Sequence, residues 1–196
     1  MTQQPTTTTP PIVYVSFSAE IVPQTAESLI ALMSNYATQG VPEVYLMLST
    51  PGGSVMHGLT LYNVLRAMPF KLTTHNVGNV NSIGNAVFLA GEERFACPHS
   101  TFMFHGVGFE GQTGERLEAK NLKEKLDSLL SDEKRIGDII AERTEITDAQ
   151  VAALFREMQT KDATYAASCG IVHEIKDVQI PNGTTVQSLV FQRRPI

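Results

Sequence analysis

A serine and a histidine, Ser82 and His105, have the residue types and the surroundings that nucleophilic catalysis requires. Ser82 follows an apolar-leaning run that we expect to be a strand, and small residues after it are expected to form a helix up to Ala90. A serine at such a turn lies beside unpaired backbone N–H groups and the positive end of a helix dipole, which favour a developing oxyanion. Acyl transfer needs that setting, although a lone serine in this place is more often only a helix cap.

A glycine loop, Pro51-Gly52-Gly53, is the second candidate feature. It directly follows the apolar run from Val44 to Leu48, which is typical of a strand buried on both faces. Glycines allow the backbone to present an N–H group to a substrate oxygen, but a Pro-Gly-Gly sequence by itself is more often only a turn.

The pattern of apolar residues predicts the elements that position these groups. Strands are expected over residues 12–17, 44–48 and 70–77, and helices over residues 25–38, 59–68 and 85–90. This alternation predicts an α/β fold of βαβ units with right-handed crossovers and a parallel core sheet. In such a fold the ligand site lies at the carboxyl ends of the strands, so the glycine loop and Ser82 should share one pocket.

Histidines other than His105 compete for the role of a base, and their positions separate them. His75 lies in a predicted strand before the serine, His57 follows the glycine loop, His99 adjoins a proline in a turn, and His173 lies in the terminal region. None of them ends a strand after the serine, as His105 is expected to do. We therefore interpret these four as surface or core residues.

Composition limits the class of protein. The chain has 196 residues, 42% of them hydrophobic, which predicts one domain over residues 12–196 behind a flexible, Thr- and Pro-rich tail at residues 1–11. No Lys or Arg precedes Arg66, so we do not expect a basic targeting segment. We therefore expect the protein to be cytoplasmic. The net charge of −5 and the lack of an apolar run of roughly 18 residues argue against nucleic-acid and membrane partners. Cys97 and Cys169 lack metal-site spacing, and no metal or cofactor is expected.

Three motifs taken together carry a family resemblance. The segment from Leu48 to Gly53, Ser82 in its small-residue turn, and the segment from Phe102 to His105 resemble the proteolytic subunit of the Clp protease, a family of ClpP-type serine peptidases. The resemblance extends over about residues 12–175. It implies the ClpP/crotonase architecture, with repeated β-β-α units, a parallel core sheet and a projecting handle helix.

The resemblance also implies roles for individual residues. Ser82 would be the nucleophile, His105 the general base, and the backbone N–H groups of Gly53 and Ile83 the oxyanion hole. The substrate would be a peptide or unfolded protein, cleaved inside a homo-oligomer of stacked rings, with an ATP-dependent unfoldase as a further partner.

The third triad member is where the sequence departs from the family pattern. Met158 stands where the family has an aspartate, and a thioether cannot stabilise an imidazolium. Glu157 adjoins it and Asp162 follows, so a small shift in register would supply a carboxylate. Asn81 and Asn85 replace small apolar residues of the family, which predicts a more polar pocket.

Two alternative functions therefore stay open. A catalytically impaired, structural subunit of a peptidase would keep the fold and the assembly without the triad, and Met158 favours it. An acyl-CoA hydratase or isomerase of the crotonase group would use the same N–H pocket without a serine nucleophile.

A long amphipathic helix is predicted over residues 114–143. Its apolar residues recur at helical spacing, and Glu133 interrupts them. Such a helix either lies on its own core or, as the resemblance implies, projects as a handle that joins two rings. The apolar positions are Leu122, Leu126, Leu129, Ile136 and Ile140. The segment over residues 178–191, with a Pro-Asn-Gly turn signal, is predicted to form a terminal hairpin.

Overall fold

The computed structural model describes residues 11–108 and 118–191. Most of the predicted tail therefore lies outside the described residues, as does the predicted start of the long helix at 114–117. The strands are β1 Val13–Ser18, β2 Glu43–Thr50, β3 Lys71–Asn81, β4 Glu93–Ala96, β5 Thr101–Met103, β6 Thr160–Asp162, β7 Glu174–Ile175 and β8 Val186–Leu189. The helices are α1 Pro23–Thr38, α2 Val55–Arg66, α3 Gly84–Phe88, α4 Ala119–Arg143, α5 Asp148–Glu157 and α6 Ala163–Ser168.

One sheet organises the described residues, and it confirms the predicted parallel α/β architecture. Its strand order is β6-β5-β3-β2-β1-β8, and β4 pairs with both β3 and β7. Every described pair is parallel except β5 with β6. The central strand β2 is apolar on both faces, since Val44, Leu46 and Leu48 are fully buried on one face and Met47 is buried on the other, as expected of a parallel strand covered by helices.

The strand β3 runs four residues beyond the predicted end at Val77. Gly78 and Asn79 lie at an irregularity within the strand rather than beyond its end, because the register with β2 shifts between Leu48 and Thr50. The Asn79 side chain donates to the Thr50 carbonyl at 3.0 Å and so bridges the two strands at that point. The first half of β3 pairs with β4 and the second half with β5, so β3 delivers the chain directly to Ser82.

The helix α4 is buried only in its C-terminal part. Ile136, Ile139 and Ile140 belong to the core, whereas Leu122 and Leu126 are 46% and 53% exposed. The helix thus leaves the body of the protein toward its N-terminus. Of the two interpretations drawn from the sequence, the structure supports a projecting helix.

The C-terminal end of α4 is fastened by a buried arginine. The Arg94 side chain donates to the carbonyls of Arg143, the last residue of α4, and of Gly170, both at 3.0 Å, and to that of Ile171 at 2.8 Å. Burial, and then the neighbouring Arg143, lower the pKa of Arg94 to about 10. The guanidinium is compensated by carbonyl dipoles at a helix C-terminus, where positive charge is favoured.

The predicted terminal hairpin is wrong. The turn is present, since Thr184 N–H donates to the Pro181 carbonyl at 3.2 Å, but the residues after it form β8. This strand pairs in parallel with β1, whose outer edge would otherwise expose unpaired backbone groups. A hairpin requires two strands that are neighbours along the chain, and here the pairing partner comes from the other end of the sequence.

Among the helices of the described residues, none combines the length and the apolar character needed to cross a membrane.

Candidate active site

Ser82 lies on a sharp turn between β3 and α3. Its φ of 58° is one of two positive values among the non-glycine residues of the described chain. Such strained strand-to-helix turns expose a nucleophile above a sheet, and the strain is maintained by the surrounding structure. The Ser82 N–H donates to the Met103 carbonyl at 2.8 Å, which ties the turn to the end of β5. The helix α3 is only five residues long, so free N–H groups matter here more than a helix dipole does.

Asn85 holds the serine turn in place. Its amide nitrogen donates to the carbonyls of Ser82 at 2.9 Å and Met103 at 2.8 Å, so both amide hydrogens are used. The side chain is 2% exposed. Neither Asn81 nor Asn85 lines the cavity at Ser82, so the prediction that they make the pocket polar is wrong. The role of Asn85 is local, because it supplies donors to backbone carbonyls at the ends of β3 and β5.

The glycine loop is shaped by the segment after β1. Gly53 has a φ of 142°, and a Cβ added there would overlap the Ile21 carbonyl. Ile21 N–H donates to the Gly52 carbonyl at 2.7 Å, and Ser54 N–H donates to the Ile21 carbonyl at 2.8 Å. The N–H of Gly53 takes no part in these bonds and has no acceptor in residues 11–108 and 118–191. The N–H of Ile83 also has no acceptor in those residues. Both groups are therefore available to an external oxygen.

His105 lies just beyond β5 and is held from both sides by the backbone. Phe104 N–H donates to the Gln159 carbonyl at 3.1 Å, and Gly106 N–H donates to the Phe155 carbonyl at 3.2 Å. His105 Nδ1 lies 2.7 Å from the Gly106 carbonyl oxygen. Since a carbonyl can only accept, Nδ1 carries the proton, and in the neutral ring Nε2 keeps its lone pair as a proton acceptor.

A cavity of about 90 Å³ brings the candidate residues together. It is lined by Gly53, Val55, Ser82, Ile83, Phe104, His105, Val107, Gly108, Ile136 and Phe155. The sequence placed the glycine loop and the serine in one pocket, and the structure has them there with the histidine. No hydrogen bond joins the Ser82 hydroxyl to His105 in the structure. Catalytic hydrogen bonds are often loose before a substrate is bound.

The carboxylates proposed from the sequence are hydrogen-bonded to groups other than His105. Met158 ends α5 with a left-handed φ of 50° and is 68% exposed. Glu157 accepts from the Gln159 side chain at 2.6 Å, and Asp162 caps α6 by accepting from Tyr165 N–H at 2.8 Å. Neither acid is bonded to the histidine, and the Gly106 carbonyl lies at Nδ1.

The remaining histidines have other surroundings. His75 is fully buried, its ring bonded to the Tyr45 hydroxyl at 2.6 Å and the Lys176 carbonyl at 3.0 Å, and burial lowers its pKa. His57 pairs with the Ser54 hydroxyl at 2.8 Å. Of the five histidines, all of them described, only His105 lines the cavity at Ser82.

Sequence reasoning missed the contribution of Glu133. Its carboxylate accepts from the N–H of Val107, two residues after His105, at 2.9 Å. The signal was present in the sequence, because Glu133 is an acid on the apolar stripe of α4. An acid at such a position needs a hydrogen-bond donor from the body of the protein.

No group of three or more His, Cys, Asp or Glu side chains among the described residues is arranged to bind a metal ion.

Comparison with known proteins gives a consistent picture. A family model described as Clp protease matches residues 12–179. The chain is 27% identical over 153 residues to an ATP-dependent Clp protease proteolytic subunit of Oltmannsiellopsis viridis, covering 76% of each. It is 26% identical over 159 residues to the protein of the same name from Chlorella vulgaris, covering 80% of this chain and 77% of the relative.

Among solved structures, a mutant of ClpP1 from Listeria monocytogenes aligns with a TM-score of 0.76. The alignment covers 85% of this chain and 92% of that one, at 21% sequence identity. At this identity the likeness establishes the fold alone.

Proposed function

Because the chain belongs to the Clp protease family, we propose that it is a serine peptidase with Ser82 as nucleophile and His105 as general base. The observation that carries the proposal is the shared cavity. It combines a serine on a strained turn, a histidine whose Nε2 is free to accept a proton, and the unpaired N–H groups of Gly53 and Ile83. Each component alone has a structural explanation, and their convergence is what acyl transfer requires.

The proposed reaction follows from these positions. The Ser82 hydroxyl oxygen attacks the carbonyl carbon of a peptide bond while His105 Nε2 takes its proton. The oxygen of the tetrahedral intermediate accepts from the N–H groups of Gly53 and Ile83. His105 then gives the proton to the leaving amine, and a water molecule, activated in the same way, hydrolyses the acyl-enzyme.

The crotonase alternative is not favoured by the comparisons, and a structural subunit is the one alternative that an observation supports. No carboxylate of the described residues bonds to His105. Loss of the acid in a Ser-His-Asp triad lowers turnover by about 10⁴-fold. We therefore propose a slow peptidase, in which the oxyanion hole and the Ser82–His105 pair remain.

The test is direct cleavage of an unfolded protein and of an activated peptide ester by the full chain. New peptide termini identified by mass spectrometry, absent with the Ser82→Ala variant, are expected. Cleavage that persists in that variant, or no cleavage of either substrate by the wild type, would contradict the proposed function.

We propose in addition that this single-domain protein acts as a homo-oligomer of stacked rings in the cytoplasm, and that it receives unfolded protein from an ATP-dependent partner. The names of the two relatives include the ATP dependence of their protease. The apolar residues on the projecting part of α4 support the assembly, because Leu122, Leu126 and Leu130 are 46%, 53% and 53% exposed. Burying such a stripe at roughly 25 cal/mol per Å² favours association.

Leu126→Glu is expected to weaken this assembly by at least about tenfold in the association constant, since a buried unpaired charge costs more than 1.4 kcal/mol. The melting temperature of the dissociated chain should change little, because Leu126 is already half exposed. Ser128→Glu is the matched control, since it adds the same charge at an exposed position of the same helix. Light scattering that shows wild type and Leu126→Glu in one oligomeric state would contradict the assembly proposal.

Met158→Asp is expected to change peptide hydrolysis by less than about twofold, because the side chain is 68% exposed and the Gly106 carbonyl already accepts from His105 Nδ1. A rise of about tenfold or more would show that Met158 reaches His105 in the working enzyme. Steady-state hydrolysis of one fluorogenic peptide by both proteins makes the comparison.

A further inference from the structure

The peptide group between Gly106 and Val107 is hydrogen-bonded on both sides. Its carbonyl oxygen lies 2.7 Å from His105 Nδ1 and accepts the ring proton. Its N–H donates to the Glu133 carboxylate at 2.9 Å. The imidazole and the carboxylate are therefore the two ends of one hydrogen-bonded chain that passes through a single peptide group.

The close approach of Glu133 depends on the glycine. A Cβ added at Gly106 would overlap the Glu133 carboxylate oxygen, so a larger residue would displace the acid. The N–H of Gly106 is separately held by the Phe155 carbonyl at 3.2 Å, which fixes the peptide on the other side. The Gly106–Val107 peptide itself thus makes two bonds, one of them to a charged group, and the preceding His105–Gly106 peptide is held by Phe155.

Glu133 forms no ion pair with a Lys, Arg or His side chain of the described residues. The neighbouring Lys134 pairs with Asp138 at 2.7 Å, and Arg135 pairs with Asp132 at 3.1 Å. The Glu133 carboxylate instead accepts from a backbone N–H, and charge-assisted bonds of this kind are about twice as strong as neutral ones. Its negative charge therefore acts on the peptide group beside the histidine.

We propose that Glu133 is a positioning residue that replaces the missing triad acid through this peptide group. The carboxylate polarises the peptide, which makes the Gly106 carbonyl a stronger acceptor for His105 Nδ1–H. Bonds in such chains strengthen one another by about 10–30%. The polarised carbonyl holds the ring tautomer that keeps Nε2 as the base, and it stabilises the imidazolium formed when Ser82 is deprotonated. This inference rests on the proposed function.

The test uses Glu133→Gln, which keeps the shape of the side chain and an oxygen acceptor for Val107 N–H but removes the charge. We expect kcat for a fluorogenic peptide to fall about tenfold with KM within about twofold, less than the roughly 10⁴-fold effect of a directly bonded triad acid. Asp138→Asn is the matched control. Asp138 lies on α4 like Glu133, and both side chains line a cavity of about 610 Å³ between α4 and α5. The Asp138 carboxylate pairs with Lys134 and does not bond to the Gly106–Val107 peptide, so its loss should leave kcat unchanged.

A second readout does not require activity. Histidine-selective ¹⁵N NMR in the Ser82→Ala background reports the tautomer of His105, and Glu133→Gln should lower the fraction protonated at Nδ1. A merely structural role would leave that fraction unchanged, because the amide still accepts from Val107 N–H. An unchanged tautomer fraction overturns the relay, as does an unchanged kcat in an active enzyme. An inactive wild type with the expected tautomer shift instead contradicts the proposed function and leaves the relay standing.

Discussion

Replacing Ser82 with alanine is expected to lower peptide hydrolysis by at least about 10²-fold, because the triad acid is already absent and removal of the serine nucleophile then leaves only the oxyanion hole and substrate binding. The fold should be nearly unaffected. The Ser82 hydroxyl makes no hydrogen bond within the described residues, and the turn is held by backbone bonds and by Asn85. We therefore expect lost activity with a melting temperature within about 2 °C of the wild type.

Ser54→Ala is the matched control for this loss. Ser54 follows the glycine loop, and its hydroxyl pairs with His57 rather than lining the cavity. Hydrolysis by this variant should stay within about twofold of the wild type. Full activity in Ser82→Ala, or equal losses in both variants, would contradict the role of Ser82.

Gly53→Ala is expected to lower kcat by about 10²- to 10³-fold, the effect of losing one oxyanion-hole donor. A side chain at a φ of 142° is strained, and its Cβ would overlap the Ile21 carbonyl. The loop must therefore move away from the segment after β1 and take the Gly53 N–H with it. Steady-state kinetics should show the loss in kcat more than in KM, because the donor acts on charge that develops in the transition state.

Gly40→Ala separates this effect from backbone strain alone. Gly40 also has a positive φ, 69°, but an added Cβ meets nothing within 4 Å. It should cost about 1–2 kcal/mol of unfolding free energy and leave kcat unchanged. A similar loss of activity in both glycine variants would mean that Gly53 matters for stability and not for the oxyanion.

The architecture was predictable because its signals are periodic. The apolar run of β2 and the alternating helices indicated a parallel sheet, and the carboxyl ends of two strands placed Gly53 and Ser82 together. The position of His105 followed from its place after a short apolar strand. These features depend on residues that are near one another in sequence or on rules of sheet topology.

Features that depend on distant pairing were missed. The sequence predicts a hairpin over residues 178–191, since nothing in the residues of β8 indicates that it pairs with the free edge of β1. The end of β3 was placed too early because Gly78 normally breaks a strand, whereas here a register shift and the Asn79 side chain accommodate it.

The third partner of the histidine was missed for a similar reason. The family pattern has its acid at the position of Met158, but the group at Nδ1 is the carbonyl of the next residue, and Glu133 of α4 accepts from the N–H of the same peptide group. A backbone acceptor leaves no signature in side-chain types, and the acid behind it lies in another element.

The most direct measurement for the central claim is labelling of the full chain with a fluorophosphonate, followed by intact mass and peptide mapping. The probe phosphonylates a serine only where a base activates it and an oxyanion hole stabilises the product. We expect one adduct per chain, located on Ser82, and none in the Ser82→Ala variant. An adduct on a different serine, or an unlabelled wild type under conditions that label a control serine peptidase, would contradict the assignment of Ser82 and His105 as a catalytic pair.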